Sequence, residues 1–364
     1  MITEKKMAIV FNHLTNFNNF KLQTILKIFS SLEEAYYASN LKLYKLPWRK
    51  KTIENFINNR KKINIEKTIE EIYKQNLMVS YIKEDSYPKL LKNIYNPPPI
   101  LYYWGNLKIN WEKSISVVGS RHPSFYGQRV VKNIISELNS SELSIISGLA
   151  IGIDSLAHKE SLLNNLKTIA VLGSGLNQEI IHPKSNRPLV EEIIKNQGLV
   201  MSEFSPKIPP WPQNFPQRNR IIAGLSNKTL VIEAGEKSGS LITSKIALEE
   251  GRDVLTIVGD IFSLNSKGSN KLAKDGAIII NQAEDILNLF NIENKKSPQK
   301  SKTRIKTENK IEKKIIEILK KENKNIEEII IELQENVSEI IIAINSLEVK
   351  KYIEDLGGKN YSLR

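Results

Sequence analysis

Residues 215–243 combine the side chains and the backbone pattern that bind a phosphate. Arg218 and Arg220 are predicted to lie in a short basic turn, followed by an apolar helix with the sequence IIAGL. An apolar strand comes next, and a Gly/Ser loop then leads into a helix that opens at Ser240. A strand, a small-residue loop and a helix together present backbone N–H groups and a positive helix end to an anion. Because a guanidinium matches phosphate oxygens in a bidentate manner, this segment predicts a phosphate site.

Four small-residue loops of this kind follow predicted apolar strands in the middle of the chain. In an open parallel sheet, ligands bind in the crevice outside the carboxyl ends of the strands. Glycines let a ligand approach the backbone, and the following helices add partial positive charge at their N-termini. Because one of these loops also carries an arginine, the set predicts a crevice that binds an anion. The loops are Gly119-Ser120-Arg121, Ser147-Gly148-Leu149, Gly173-Ser174-Gly175 and residues 235–240.

The same loops do not match the motifs of nucleotide-dependent enzymes. GSGLNQ begins like a dinucleotide fingerprint, but Gln178 stands where the third glycine belongs. A Walker A motif is also absent, because no lysine stands between Gly239 and Ser240. No GxSxG elbow occurs. Asp154 and His158 lie on one helix face, but a nucleophile to complete a triad is not evident. We therefore expect a structural Asp154, a packed His158, no catalytic residue, no cofactor and no metal.

The elements that must position these loops are strands alternating with helices. From residue 115 to about residue 290, apolar runs of strand length alternate with helical periodicity. Near-continuous apolar strands covered by helices predict an α/β fold, namely an extended Rossmann-like, doubly wound parallel sheet. The predicted strands are ISVVGS, LSIISG, TIAVLGSG, GLVMSEF, TLVIEA, DVLTIVG and AIIIN.

Further regions are predicted on either side of this core, which is assigned to residues 81–290. Residues 1–80 show helical periodicity without strand signals and predict a small helical domain. A connector at residues 87–107 is rich in proline and in aromatic residues that are expected to pack against the core. Residues 291–310 read as a flexible basic linker. Residues 311–364 read as three helices and a two-stranded ribbon, which is the order of a winged helix.

The composition limits the partners of the chain. Its 364 residues carry a formal net charge of +13, which favours a polyanionic partner. Residues 41–62 hold eight basic residues and one acid, which is typical either of a nucleic-acid contact or of a solvated surface. The absence of cysteine excludes disulfides, thiolate catalysis and Cys-ligated zinc. No signal peptide and no apolar run near the ~20 residues of a membrane span is visible, so a cytoplasmic protein with no membrane partner is expected.

The motifs resemble those of the bacterial DNA-processing protein A family, also called DprA or Smf. The similarity covers roughly residues 87–290 and includes VVGSR, SGLAIGIDSLAH, VLGSGL, FPQRNRIIAGLS and SGSLIT. The chain departs from the family pattern at three loop positions, with His182 before Pro183, Asn177 after the GxGL loop, and Val258-Gly259 without the proline of a VPG triplet. The resemblance implies a homodimeric, non-enzymatic recombination mediator that binds single-stranded DNA and loads the recombinase RecA in natural transformation.

With single-stranded DNA as the expected ligand, the basic side chains of the crevice would contact successive phosphates. Arg121 is the expected central clamp, and each phosphate contact adds about −0.7 to the slope of log affinity against log salt. Trp211 and Phe215 lie beside the arginines, where each ring either stacks on a base, worth roughly 1–3 kcal/mol, or packs the loop. The expected DNA-binding residues are Gly119, Ser120, Arg121, Ser147, Gly148, Gly173, Ser174, Lys184, Arg187, Trp211, Arg218, Asn219, Arg220, Gly239 and Ser240.

Two other functions are compatible with parts of the sequence. The first is a nucleotide or phosphoribose hydrolase of the lysine-decarboxylase-like (LOG) group, which carries a PGGxGTxxE loop. The corresponding segment here reads EAGEKSGSLIT, without a Gly-Gly pair or an acid after the threonine. The second is a duplex-binding regulator that acts through the winged-helix-like module, although the single arginine and several acids of that module argue against DNA. Turnover of a nucleoside monophosphate would support the first function. Loss of single-strand affinity on deletion of residues 311–364 would support the second.

Overall fold

The computed structural model describes residues 3–138, 142–292, 307, 309–355 and 357–363. The chain forms two compact units, Met1–Asn294 and Lys295–Arg364. Most of the predicted basic linker at residues 291–310 lies outside the described residues. Among the described helices, none is both long and apolar enough to cross a membrane.

The centre of the first unit is a sheet whose inner strands are parallel. Its strands are β1 Met78–Tyr81, β2 Ile100–Gly105, β3 Ser114–Gly119, β4 Ser144–Ser147, β5 Lys167–Val171, β6 Leu199–Ser202, β7 Lys228–Ile232, β8 Asp253–Thr256 and β9 Ile278–Ile279. Within the described residues these nine strands form one sheet in the order β1-β2-β6-β5-β4-β3-β7-β8-β9. All neighbours from β6 to β9 are parallel, so the predicted parallel α/β sheet is confirmed. The direction of winding reverses between β3 and β7, which makes this the topological switch point where ligands bind.

Helices cover both faces of the sheet. They are α7 Lys89–Lys92, α8 Phe125–Glu137, α9 Ile153–Leu163, α10 Arg187–Lys195, α11 Asn214–Gly224, α12 Gly239–Glu249, α13 Lys267–Lys274 and α14 Ala283–Leu289. One hydrophobic cluster joins α8, α9 and α14 to β3, and a second joins α10, α11 and α12 to the opposite side of the strands. Every residue of β4 and β6 is buried, as expected for a parallel sheet between two helical layers.

Strands β1 and β2 correct the sequence-based prediction at two places. β1 lies at the end of the region expected to lack strands, and β2 lies within the predicted connector. The prolines at residues 97–99 precede β2 and do not interrupt it, so the N–H groups of the strand itself can pair. β2 runs antiparallel to β6, with Tyr102 opposite Ser202, and β1 runs antiparallel to β2. Of the aromatic residues of β2, Tyr102 is fully buried, and the indole of Trp104 donates over 3.1 Å to the carbonyl of Gln75 in the N-terminal region and not to the core.

The N-terminal region is helical and packs directly on the sheet. Its helices are α1 Glu4–Thr15, α2 Asn19–Ile28, α3 Leu32–Tyr37, α4 Asn40–Leu43, α5 Lys50–Arg60 and α6 Ile65–Lys74. The rings of Phe11 and Phe56 stack with centroids 5.0 Å apart at the centre of this region. Asn12 on α1 donates to the carbonyl of Glu203 over 3.1 Å and accepts from the hydroxyl of Tyr102 over 3.1 Å. These contacts hold the helices against β2 and against the loop that follows β6.

The second unit contains the predicted winged-helix-like order. Helices α15 Lys310–Lys321, α16 Ile326–Leu333 and α17 Val337–Val349 pack around Ile315, Ile340 and Leu347. The predicted ribbon is formed by β11 Ile353–Asp355 and β12 Asn360–Leu363, and a short third strand, β10 Lys324–Asn325, adds to β12. Gly357 and Gly358 have φ values of 100° and 66° in the turn, a conformation that glycine adopts without a steric penalty.

Candidate functional site

A crevice of about 600 Å³ opens at the switch point of the sheet. Its walls are the loop after β3, the first turns of α11, and the loop after β7 together with the start of α12. This is the place where the sequence predicts an anion to bind. The predicted binding residues that line the crevice are Gly119, Ser120, Arg121, Arg218, Asn219, Gly239 and Ser240.

Arg121 is the exposed arginine of the crevice. It follows β3 directly, and its guanidinium carbon lies 5.9 Å from the centre of the Phe215 ring. Within the described part of the chain it makes no hydrogen bond and no ion pair, so its donors are available to a ligand. The Arg121 loop is itself fixed, because the N–H of Ile153 donates to the carbonyl of Ser120 over 3.0 Å. A Cβ built on Gly152 would lie 2.4 Å from that carbonyl oxygen, so a side chain there would displace the loop.

Glu233 holds the same loop from the other side and is not among the predicted site residues. It directly follows β7, is buried, and has a φ of 52°, which is unfavourable for a residue with a side chain. Its carboxylate accepts the N–H of Ser124 over 2.7 Å and also the hydroxyl of Ser124. A Cβ built on Gly127 would lie 2.3 Å from the carboxylate, so a side chain there would displace it. The signal in the sequence is an acid that ends an apolar strand, although the same pattern also occurs at exposed strand ends.

Arg218 lies beneath the crevice, with a side chain that is almost fully buried. It belongs to α11 and not to a basic turn before it, which corrects the prediction for Arg218 and Arg220. Pro216 falls in the first turn of α11, where proline is tolerated, so the helix begins ahead of both arginines. The Arg218 Nη1 donates to the carbonyls of Gly148 and Val171 over 2.5 Å each. Burial lowers the pKa of Arg218 to about 10, so the group stays charged at neutral pH.

Asp154 is the acid that accompanies Arg218. Its carboxylate accepts the N–H groups of Gly148 over 3.1 Å and Ala150 over 3.4 Å. Burial raises the pKa of Asp154, and the nearby guanidinium of Arg218 acts against that shift. His158 packs separately, with its Nδ1 2.6 Å from the hydroxyl of Thr168. Both residues are thus buried and hydrogen-bonded, and their purely structural role stays a prediction.

Arg220 forms an ion pair with an acid inside the protein. Its Nη2 lies 2.6 Å from a carboxylate oxygen of Glu203, and the two side chains are only 14% and 7% exposed. Arg220 does not line the crevice. Its predicted contact with a phosphate therefore stays a prediction, and in the structure it joins α11 to the end of β6.

Four of the predicted residues are buried at the ends of β4 and β5 and are not exposed to the crevice. Ser147 donates to the carbonyl of Val117 over 2.7 Å, and Ser174 to the carbonyl of Gly175 over 3.1 Å. A Cβ on Gly148 would lie 2.5 Å from the Arg218 guanidinium, and one on Gly173 would lie 2.8 Å from the Phe215 ring. The structure does not bring these four into the lining of the crevice; they are Ser147, Gly148, Gly173 and Ser174.

The remaining predicted residues lie outside the lining of the crevice; they are Lys184, Arg187 and Trp211. Lys184 is exposed in a short turn that Asn186 fixes by donating to the carbonyl of Leu149 over 2.9 Å. Arg187 begins α10 and donates to the carbonyl of Ile181 over 3.4 Å. Trp211 is 47% exposed, whereas Phe215 is half-buried between two arginines and His182.

The charges of the crevice favour an anion. Three bases line it, Arg121, Arg218 and Lys237, against the single acid Asp154, which is buried and hydrogen-bonded. The start of α12 adds the N–H of Gly239, whereas the N–H of Ser240 donates to the Ser238 side chain over 3.3 Å. No group of three potential metal ligands is found among the described residues. The arrangement can therefore bind phosphodiesters along a groove.

Comparison with known proteins identifies the family of the chain. The family model of DNA recombination-mediator protein A matches residues 78–291, which is more than half of the chain. The chain belongs to the DNA recombination-mediator protein A family. Among relatives in this family, the DNA processing protein DprA of Streptococcus pneumoniae is 45% identical over 209 residues, covering 57% of this chain and 73% of the relative. The protein Smf of Synechocystis is 38% identical over 271 residues, covering 73% of this chain and 67% of the relative.

Solved structures of DNA processing protein A share the fold. The crystal structure of the Streptococcus pneumoniae protein matches with a TM-score of 0.67 and 36% identity, covering 80% of this chain and 99% of that protein. The Helicobacter pylori protein, for which a single-stranded DNA binding mode is described, matches with a TM-score of 0.52 and 26% identity. That match covers 59% of this chain and 96% of the Helicobacter pylori protein. The resemblance on which the sequence-based assignment rests is thus confirmed.

Proposed function

We propose that this chain binds single-stranded DNA in the crevice and acts as a recombination mediator. The observation that carries the proposal is Arg121, an exposed guanidinium without an acidic partner among the described residues, at the switch point of the sheet. A guanidinium in this position can bind a phosphodiester in bidentate fashion. The single-stranded DNA binding mode described for the Helicobacter pylori member of the family supports the choice of ligand.

The proposed contacts divide into two groups by their burial. Arg121, Lys184 and Trp211 are exposed and would touch the DNA directly, with Asn219, Gly239 and Ser240 on the crevice wall. The buried group would act without touching the DNA. Arg218 adds positive potential, and the absence of side chains at Gly148 and Gly173 leaves room for its guanidinium and for the Phe215 ring. Arg187 and Arg220 complete the proposed set, because a bound strand could recruit them by exchange of their present partners.

We further propose that the protein works as a homodimer that loads RecA on the bound strand without catalysing a reaction itself. Support for self-association comes from β9, which ends the sheet and exposes Ile278 and Ile279. An apolar edge strand of this kind is a ready template for pairing with another chain. A sedimentation experiment on wild type and Ile279→Lys tests this part, because the substitution should shift the population toward monomer.

The DNA-binding proposal is tested by fluorescence anisotropy with labelled oligo-dT and its duplex across a salt series. We expect strong preference for the single strand, and Arg121→Ala should weaken binding to all sequences alike while lowering the salt slope by about 0.7. Arg129→Ala on α8 is the matched control, because Arg129 does not line the crevice. Equal and weak binding of wild type to both DNA forms would overturn the proposal. Turnover of a nucleoside monophosphate would then make a nucleotide hydrolase the better assignment.

A further inference from the structure

A second concentration of positive charge lies on the N-terminal helices, none of whose described residues lines the crevice. Residues 41–62 contain eight basic residues and one acid. The charge is not spread evenly over the helical region, since α6 carries three acids and two bases and α3 carries two acids. The exposed bases that span α4 and the start of α5 are termed the α4–α5 patch, and they are Lys42, Lys45, Arg49, Lys50 and Lys51.

The bases of the α4–α5 patch lack close acidic partners. In the described part of the chain, only Lys42 approaches a carboxylate, that of Glu34 at 3.9 Å, and the other four make no ion pair. On neighbouring helices, by contrast, Lys5 of α1 pairs with Glu84 at 3.0 Å and Lys74 of α6 pairs with Glu70 at 3.4 Å. Four neighbouring cations without a counter-charge repel one another, which raises the affinity of the patch for an external polyanion.

The positions of these bases are not explained by helix stability. Helices α1, α2, α3, α4 and α6 each begin with a Ser, Thr or Asn side chain that accepts a backbone N–H. Helix α5 instead has Arg49 at its N-cap without such a bond, followed by Lys50 and Lys51 and no acid in its first turn. Cations near a helix N-terminus oppose the helix dipole and cost stability. The sequence at the start of α5 therefore keeps positive charge although this charge lowers the stability of the helix.

The helical region is attached at the same side of the sheet as the crevice. His13 Nδ1 and the hydroxyl of Ser205 are 3.4 Å apart, and Lys207 donates to Glu71 over 2.9 Å. Both contacts involve the loop that leaves the carboxyl end of β6. The same stretch of chain continues to Trp211 and to Phe215 at the crevice. This loop therefore connects the wall of the crevice with the helical region, and a DNA strand that followed it would reach the N-terminal helices.

We propose that the α4–α5 patch is a second phosphodiester-binding surface that holds the same DNA strand after it leaves the crevice. Lys42, Lys45, Arg49, Lys50 and Lys51 would contact its phosphates. Tyr44, which is 49% exposed between two of the lysines, offers a ring face to a base. This inference rests on the proposed binding of single-stranded DNA in the crevice. It assigns to the N-terminal helices a role in extending the binding site.

The test compares two lengths of labelled oligo-dT on the full chain, one of about 6 nucleotides that the crevice alone can hold and one of about 30. In the variant Lys45→Ala/Arg49→Ala/Lys50→Ala, we expect an unchanged Kd for the short oligonucleotide. For the long one we expect a Kd raised roughly tenfold and a salt slope lowered by about 2, the sum of three single-strand phosphate contacts. Far-UV circular dichroism and the Tm confirm that the variant is folded, since all three side chains are exposed.

The matched control is Lys313→Ala/Lys320→Ala/Lys321→Ala, which removes the same charge from exposed positions of α15. We expect this control to bind both oligonucleotides like wild type. An equal loss in the control and in the patch variant, or no loss for the long oligonucleotide, would overturn the second surface. Failure of wild type to bind the short oligonucleotide would instead count against the crevice, so the two proposals fail separately.

Discussion

Arg121 and Arg218 show how burial divides one residue type between two tasks. Both guanidinium carbons lie 5.9 Å from the centre of the Phe215 ring. Arg121 is exposed and its donors are free among the described residues, whereas Arg218 is 4% exposed and its Nη1 is bound to two carbonyls. Arg121 can exchange water for a phosphate. Arg218 holds the loops after β4 and β5 through its two carbonyl contacts. The two residues should therefore respond differently to the same truncation.

Arg218→Ala is expected to destabilise the fold. It removes the cation near the buried Asp154 carboxylate and leaves the carbonyls of Gly148 and Val171 without this donor, and each buried group left unsatisfied costs about 1–3 kcal/mol. Urea unfolding at neutral pH measures the change in the free energy of unfolding. Arg121→Ala serves as the control and should stay within about 0.5 kcal/mol of wild type, as exposed substitutions usually do. Equal stability of the two variants would contradict the anchoring role of Arg218.

His158 is expected to make the protein sensitive to acid. Burial lowers the pKa of His158 from 6.5 to about 3, so the unfolded chain takes up a proton that the folded chain does not. Stability from this group is present above pH 6.5 and is lost as the pH falls toward 3, amounting to about 2 kcal/mol between pH 7 and pH 5. Urea unfolding at the two pH values should show a smaller acid loss in His158→Gln. The exposed His122→Gln should keep the loss of wild type.

At the scale of elements, the loop between β3 and α8 depends on the end of β7. Glu233 ties Ser124 in place, and Ser124 caps α8 by accepting the N–H of Gly127 over 3.2 Å. The loop that carries Arg121 is thus held by a carboxylate more than 100 positions further along the chain. A substitution of Glu233 should therefore change the affinity for DNA by shifting Arg121.

Glu233→Ala is expected to weaken single-strand binding although Glu233 does not line the crevice. Anisotropy should show a Kd raised by roughly fivefold, and in a double-mutant cycle with Arg121→Ala the two losses should not add, with a coupling of about 1 kcal/mol. Asp260→Ala removes an exposed acid from the same unit and is the control for charge. Additive losses in the cycle would mean that Glu233 acts through general stability alone.

The local pattern of the sequence is sufficient to predict the inner strands of the sheet and about half of the residues that line the crevice. Apolar runs followed by small residues identify β3 to β9 and place Gly119, Ser120 and Arg121 correctly, because each loop follows its own strand. The same reasoning misses β1 and β2, whose pairing depends on partners far along the chain. It also cannot show that Arg218 is buried or that Arg220 pairs with Glu203, since helix α11 offers no local sign of what covers it. The burial of Arg218 and the ion pair of Arg220 result from tertiary packing, which a local pattern does not contain.

At the scale of the whole molecule, charge differs between the two units. The crevice and the α4–α5 patch belong to the first unit. Helices α16 and α17 of the second unit carry five acids and no base, and α17 exposes Ile341, Ile342 and Val349. A recognition helix that binds duplex DNA needs basic residues for the phosphates. The second unit is therefore a poor candidate for the DNA-binding part of the chain.

Deletion of residues 311–364 is expected to leave single-strand binding intact. The two units are separately compact, so removal of one should change the Kd for oligo-dT by no more than about twofold. The isolated second unit, tested in the same anisotropy assay, should bind neither the single strand nor the duplex. A large loss of affinity on deletion would show that the second unit contributes to the DNA site.

The exposure of Trp211 gives the protein an optical reporter of its own. Of the four tryptophans, Trp48 is buried, Trp104 and Trp111 are half-buried, and Trp211 is 47% exposed beside the path to the crevice. Its indole emits from a wetter surrounding than the other three and is the one most open to a collisional quencher. Unlabelled protein can thus be followed by its intrinsic fluorescence, with the other three rings as an internal reference for the state of the core.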